Sequence, residues 1–310
     1  MRKPLVAALF ALVITGAGAA PAVAAPQAAP ELATGTVKTA AGSVVDAANK
    51  AVAEAASRVA PADSAVQAVN FAGTVSLSNC SGSVVRMPNA EDDDPALVMT
   101  NGHCLETGFP GPGEVLVDRA STRSFGLLNS AGTRVATLRA NRIVYGTMTD
   151  TDMALYRLTT TYGQIKSSYG INALVFDTAR PAVGTDITVV SGYWKRTYAC
   201  DVDGYAYRLK EGAWTWKDSV RYTSACQTIG GTSGSPVLDN VTGKVVAVNN
   251  TGNEDGGRCT DNNPCEVDAN GTVTVREGIN YGQQTWHVPA CFGADSKLDL
   301  TRSGCILPRP

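Results

Sequence analysis

Histidine is almost missing from this chain, with two in 310 residues. Any chemistry that needs an imidazole must use His103 or His287, and neither stands at zinc-ligand spacing from a cysteine pair, so no metal is expected. A strong charge of either sign is missing too. The formal net charge of −2 gives no general attraction to nucleic acid. No apolar run reaches the ~20 residues that a membrane-spanning helix needs. The apolar stretch from Leu5 to Ile14 is too short, and it stands between Met1-Arg2-Lys3 and the small-x-small site Ala22-Val23-Ala24. That is the pattern of a secretory signal peptide over residues 1–24. A soluble, secreted, extracellular protein is expected, with no membrane association once the signal is removed. Residues 25–67 contain no aromatic residue and lack the material for a core. Asp46, Lys50, Glu54 and Arg58 recur four apart there, which puts alternating charges on one face of a marginal helix. The segment reads as an alanine-rich propeptide or linker, leaving residues 68–310 as the main domain.

In that domain, short β-type runs are bounded by Gly, Asn, Asp and Pro. Examples are Thr74 to Leu77, Ser83 to Val85, Ala96 to Met99, Ile143 to Tyr145, Met153 to Leu158, Ile187 to Val190 and Lys244 to Val248. The expected class is all-β, and about 240 residues of such strands suit two packed barrels. Eight cysteines in an exported chain read as disulfides, for which spacing alone leaves 105 pairings.

Three segments carry chemistry. Gly230-Gly231-Thr232-Ser233-Gly234-Ser235-Pro236 sets a serine among glycines, where the backbone can turn sharply and expose N–H donors. Thr100-Asn101-Gly102-His103-Cys104 follows an apolar run and supplies a base. Asp150-Thr151-Asp152-Met153-Ala154-Leu155 puts a carboxylate at the head of a strand, where it could hold an imidazole in one tautomer. Each segment also has a plain reading, as a flexible turn, a structural histidine and an ordinary turn aspartate.

Taken in order, T-N-G-H-C, D-M-A-L and G-T-S-G-S-P resemble the catalytic segments of the chymotrypsin/trypsin-like serine proteases, in particular their bacterial secreted branch. The resemblance runs from about Phe71 to Trp286. It implies two six-stranded antiparallel β-barrels with the site in the crevice between them. It makes His103 the general base, Asp152 its orienter and Ser233 the nucleophile, with the N–H groups of Gly231 and Ser233 forming the oxyanion hole. It also implies a monomeric endopeptidase that acts on proteins or peptides through an acyl-enzyme and needs no cofactor. The cysteine after the catalytic histidine pairs upstream in this family, which gives Cys80 with Cys104. Order and proximity then pair Cys200 with Cys226, Cys259 with Cys265, and Cys291 with Cys305.

The chain departs from the digestive branch at Thr232, where an aspartate would pair with a newly cut N-terminus, so that activation switch is missing. In the trypsin-like branch the residue six before the nucleophile is an aspartate at the base of the substrate pocket; the resemblance implies that the neutral Gln227 takes that place here, with Asn250 and Gly252 in the walls. A neutral residue before the scissile bond is expected, because a cation facing Gln227 would keep much of its desolvation cost. Glu254, Asp255 and Glu277 are the acids that could reach the base instead. Glu91 to Asp94 reads as a solvated turn, and Tyr193 to Tyr222, with three tryptophans, as strands and a long hairpin. Two rival functions stand beside the peptidase. One is a protease-like fold that has lost catalysis and only binds. The other is an α/β-hydrolase-type esterase using Ser233, Asp268 and His287.

Overall fold

The computed structural model describes residues 69–310. The expected signal peptide and propeptide lie outside the described residues. The described chain begins with β1 (Thr74–Ser76), β2 (Ser81–Arg86), β3 (Pro95–Thr100), β4 (Val115–Ala120), β5 (Ser124–Leu128), β6 (Arg134–Thr147) and β7 (Met153–Thr161). After β7 come one turn-capped helix, α1 (Tyr162–Tyr169), and the short β8 (Leu174–Val175). The strands pair in the order β1-β5-β6-β7-β3-β2, and β2 returns to β1, which closes a six-stranded barrel. β4 flanks β6, and β8 runs parallel to β2.

A second barrel follows. Its strands are β9 (Asp186–Ser191), β10 (Arg196–Glu211), β11 (Trp214–Tyr222), β12 (Pro236–Asp239) and β13 (Val245–Gly252). A small hairpin of β14 (Cys265–Val267) and β15 (Val273–Val275) precedes the last strand, β16 (Asn280–Gln284). The order β11-β16-β13-β12-β9-β10 closes through the β10–β11 pair, and β14 and β15 extend from β10. The expected two six-stranded barrels are therefore what the chain forms.

Alternation at period two is what makes these segments strands. In β10, Tyr198, Cys200, Val202 and Ala206 turn inward, and Asp201, Asp203 and Tyr207 face solvent. The segment expected as a long hairpin is the antiparallel β10–β11 pair, running from Val202 opposite Tyr222 to Glu211 opposite Trp214. Helix α1 was not foreseen. Its start is a capping box in which the Thr161 hydroxyl accepts from the Gln164 N–H and the Gln164 side chain accepts from the Thr161 N–H. Gly170 ends it in the left-handed conformation at φ 66°.

The barrels share a core. Met99, Tyr145, Met153 and Leu155 of the first pack in one cluster with Val190, Leu238, Val245 and Val248 of the second, and C-terminal Val288 and Phe292 join it. Each such side chain contributes about 1.5–3 kcal/mol on burial, so packing holds the two barrels together.

Four disulfides are present: Cys80–Cys104, Cys200–Cys226, Cys259–Cys265 and Cys291–Cys305. The first ties the start of β2 to the turn after β3 and closes a loop worth about 3.5 kcal/mol by chain entropy. The double variant Cys80→Ser/Cys104→Ser should therefore lose about 3 kcal/mol of unfolding free energy, read from its guanidinium midpoint. An unchanged midpoint would mean that the bridge is idle.

Candidate active site

Barrel one supplies His103 and Asp152. After β3 the chain makes a single 3₁₀ turn, Gly102–Cys104, that carries the imidazole. No side chain fits at Gly102, because a Cβ there would come within 2.1 Å of the Thr147 carbonyl oxygen and 3.1 Å of Asp152 Oδ1. Asp152, fully buried ahead of β7, grips this turn at two points. Its Oδ1 accepts the His103 backbone N–H at 3.1 Å, and its Oδ2 lies 2.7 Å from His103 Nδ1. The Asn101 amide, in turn, donates to the Asp152 carbonyl at 2.8 Å. This arrangement fixes both the ring and the backbone that carries it, leaving Nε2 as the ring nitrogen not held by Asp152. A fifth of the imidazole side chain is exposed. Burial by itself would lower its pKa, but the Asp152 charge and hydrogen bond, with a further push from Glu211, hold it above the ordinary value of 6.5.

Barrel two supplies Ser233 from the loop between β11 and β12. Ser81 of β2, fully buried, reaches across to that loop. Its N–H donates to the Ser233 carbonyl at 2.8 Å and its hydroxyl to the Gly231 carbonyl at 3.1 Å. The same hydroxyl lies 3.0 Å from Ser191 Oγ and accepts the Tyr193 N–H. Gly234, at φ 81°, passes so close that a Cβ would fall 2.2 Å from both the Ser81 carbonyl and Thr100 Oγ1, so only glycine can follow Ser233 here. Thr232 is buried and satisfied internally, its hydroxyl donating to Ile229 O at 2.6 Å and receiving the Asn249 amide at 3.1 Å. Among the described residues, the N–H groups of Gly231 and Ser233 have no acceptor.

His103, Asp152 and Ser233 line one cleft of about 670 Å³. Gln227, Asn250 and Gly252 line it too. The Gln227 side chain is exposed and donates to the Ser224 and Gly278 carbonyls, so it lies against the wall. Against Gly252 the cleft is lined by Asn280, whose Oδ1 accepts from the Thr228 hydroxyl at 2.6 Å and would meet a Cβ on Gly252 at 2.3 Å. The Ser233 hydroxyl donates at 3.3 Å to the Asn250 carbonyl, and no Ser233–His103 hydrogen bond is formed. Of the acids named as candidates for the pocket, Glu254 lines the cleft, and Asp255 and Glu277 do not.

Four further residues of the cleft were not assigned to it from the sequence. Trp214 and Trp216 of β11 wall the cleft, and Glu211 lies at the end of β10. Phe109 packs edge-on between His103 and Trp214, with ring centroids 5.9 Å from each. The tryptophans gave a signal in their clustering. Glu211 gave none.

The alternative trio does not assemble. His287 lines a separate cavity of about 270 Å³ beside Trp286, and burial lowers its pKa to about 4. The Asp268 carboxylate instead accepts the N–H groups of Asn270 and Thr272 in the turn between β14 and β15. This is not the alternating strand–helix architecture of an α/β-hydrolase, and that reading falls with the fold. The acid run is also a turn. Asp94 accepts the Glu91 N–H and the Ser296 hydroxyl, and Asp92 pairs with Arg86.

Compared with known families, residues 80–248 match the trypsin-like peptidase domain, a stretch that spans more than half the chain and contains His103, Asp152 and Ser233. The chain belongs to the trypsin-like peptidase family. Among solved structures, this trypsin-like peptidase is similar to the Rv3671c protease from M. tuberculosis in its active form. The identity is 14%, with 92% of this chain and 97% of that one covered and a TM-score of 0.45. It is similar also to the thermostable serine protease AL20 from an extremophilic microorganism, at 16% identity, 69% and 91% coverage and a TM-score of 0.41. The Nocardiopsis protease follows at 12% identity, 70% and 93% coverage and 0.40. No curated protein sequence matches.

The geometry around His103 sets a measurable order. In a titration of ring protons by NMR, the His103 midpoint should lie above 6.5 and that of His287 near 4. Asp152→Asn removes the charge that favours the imidazolium and leaves burial, which disfavours it, so the His103 midpoint should drop below 6.5. A midpoint that does not move on this substitution would deny the coupling.

Proposed function

We propose that this trypsin-like peptidase is a secreted, monomeric serine endopeptidase that works through an acyl-enzyme with no cofactor. The observation that carries the reading is the buried Asp152–His103 pair in the same cleft as Ser233, beside two N–H groups that have no acceptor. Ser233 Oγ leaves its long bond to the Asn250 carbonyl, gives its proton to His103 Nε2 and attacks the substrate carbonyl carbon. The oxyanion that forms takes the N–H groups of Gly231 and Ser233. His103 then returns the proton to the leaving amine as the C–N bond breaks, and water reverses the sequence on the ester. Asp152 keeps the proton of the ring on Nδ1 and stabilises the imidazolium. Beyond Val248, β13 has run past the end of β12. The edge from Asn250 to Gly252 is thus open to the cleft, where an extended substrate can pair with it.

Secretion rests on four disulfides, which persist in an oxidising compartment, together with the signal pattern at residues 1–24. In this reading residues 25–67 are removed or remain a loose tether, and residues 68–310 are the catalytic domain.

One observation favours a second reading, a peptidase fold that binds without cutting: the Ser233 hydroxyl points to Asn250 and not to His103. Catalytic hydrogen bonds are often unformed before substrate arrives, so endopeptidase is the preferred reading. A serine-directed phosphonate with peptide mapping separates the two. An adduct on Ser233 is expected, and none would leave the binding role. Ser233→Ala and His103→Ala should each lower turnover of a peptide substrate by about 10⁶, and His287→Ala should change it by less than about threefold.

A further inference from the structure

The end of the β10–β11 hairpin brings an acid into the cleft with its charge unspent. Glu211 Oε1 accepts the Asn262 N–H at 2.8 Å. Its Oε2 is buried and has no hydrogen-bond partner. Burial raises the carboxyl pKa above the ordinary carboxylate value, against the hydrogen bonds of Thr251 and Asn262 and the charge of His103. A buried acceptor left unmade costs about 1–3 kcal/mol, and more when it is charged. Such a cost is tolerated at a site that a ligand completes.

The surroundings say what kind of ligand. Glu254, Asp261 and Asp152 share the cleft with Glu211, and among the described residues no Lys or Arg lines it. The chain as a whole is nearly neutral, so this concentration of acid is local, and low-dielectric walls focus its field. Asn250 is 4% exposed, and both its amide oxygen and its amide nitrogen lack partners. The oxygen is a second acceptor in the same cleft. Half-buried Trp214 on β11 adds an aromatic side chain to the cleft wall, suited to a cation.

We propose that Glu211 selects the substrate: its free carboxylate oxygen receives the cationic side chain, Lys or Arg, of a bound polypeptide. Glu211 and the neutral residues Gln227, Thr228 and Asn280 line the same cleft. Neutrality at one position and a basic residue at another are therefore both demanded by one cleft. This inference builds on the peptidase reading for the identity of the ligand as a polypeptide.

Binding tests it apart from catalysis. Fluorescein-labelled hexapeptide pools, with Lys, Arg or Gln fixed at each position in turn, are titrated into the full chain carrying Ser233→Ala and followed by anisotropy. At one position the Lys and Arg pools should bind about 10-fold or more tightly than the Gln pool. Adding Glu211→Gln should abolish that ratio, and adding Glu277→Gln, outside the cleft, should keep it. A ratio near one in Ser233→Ala, or one that survives Glu211→Gln, overturns the assignment. The unsubstituted chain is run on the same pools. Preferential binding without cleavage would sink the peptidase reading and leave the cationic subsite standing. Cleavage with no loss of Lys and Arg preference in Glu211→Gln would do the reverse.

Discussion

The placement of the candidate site depends on Ser81. His103 and Asp152 belong to one barrel and Ser233 to the other, so any slip between the barrels would pull them apart. Apolar packing resists separation but is poor at resisting small slides, because it has no direction. Ser81 supplies direction. Its N–H and hydroxyl hold two carbonyls of the Ser233 loop, and its own carbonyl accepts the Thr100 hydroxyl at 2.8 Å. The residue before it, Cys80, is bonded to Cys104, the residue after His103. A short path of one disulfide and two hydrogen bonds therefore joins the turn of the imidazole to the loop of the serine. Ser81 is fully buried, and leaving one of its groups unpaired would cost about 1–3 kcal/mol.

Within barrel one the same economy appears in Asp152. A single carboxylate fixes the His103 ring through one oxygen and the His103 backbone through the other. The turn is thus oriented by the group that also tunes its charge. Gly102 and Gly234 are the steric counterpart, since each sits where another backbone comes too close for a side chain.

Much of this was readable beforehand, for a physical reason. His103, Asp152 and Ser233 lie in segments whose chemistry constrains neighbours within a few residues, and such constraints leave a local mark. The barrels were readable where strands alternate or run apolar, as in β3 and β9. Strand β16 was not. Its sequence, Asn-Tyr-Gly-Gln-Gln, is buried throughout, and its amide nitrogens find acceptors distant in sequence, Asn280 at Cys226 O and Gln284 at Asp218 O. No window of sequence shows that. Glu211 is illegible for a similar reason. It follows ordinary strand residues, and only the fold brings it beside His103. Gln227 shows the limit of counting: it lines the cleft, but its side chain amide donates to the Ser224 and Gly278 carbonyls.

The β10–β11 hairpin closes the second barrel at its root, where β10 meets β9 and β11 meets β16, and reaches the cleft only at its tip. Root and tip answer to different demands. The root must keep its register or the barrel opens. The tip contributes Glu211 and Trp214 to a wall and carries none of the groups that would move a proton. Substitutions, or a change of a residue or two in length, can accumulate there without disturbing closure or the Ser81 link. The same scaffold is in this sense an interchangeable handle on a fixed tool, and diversification of what the cleft accepts should be sought first in those few residues.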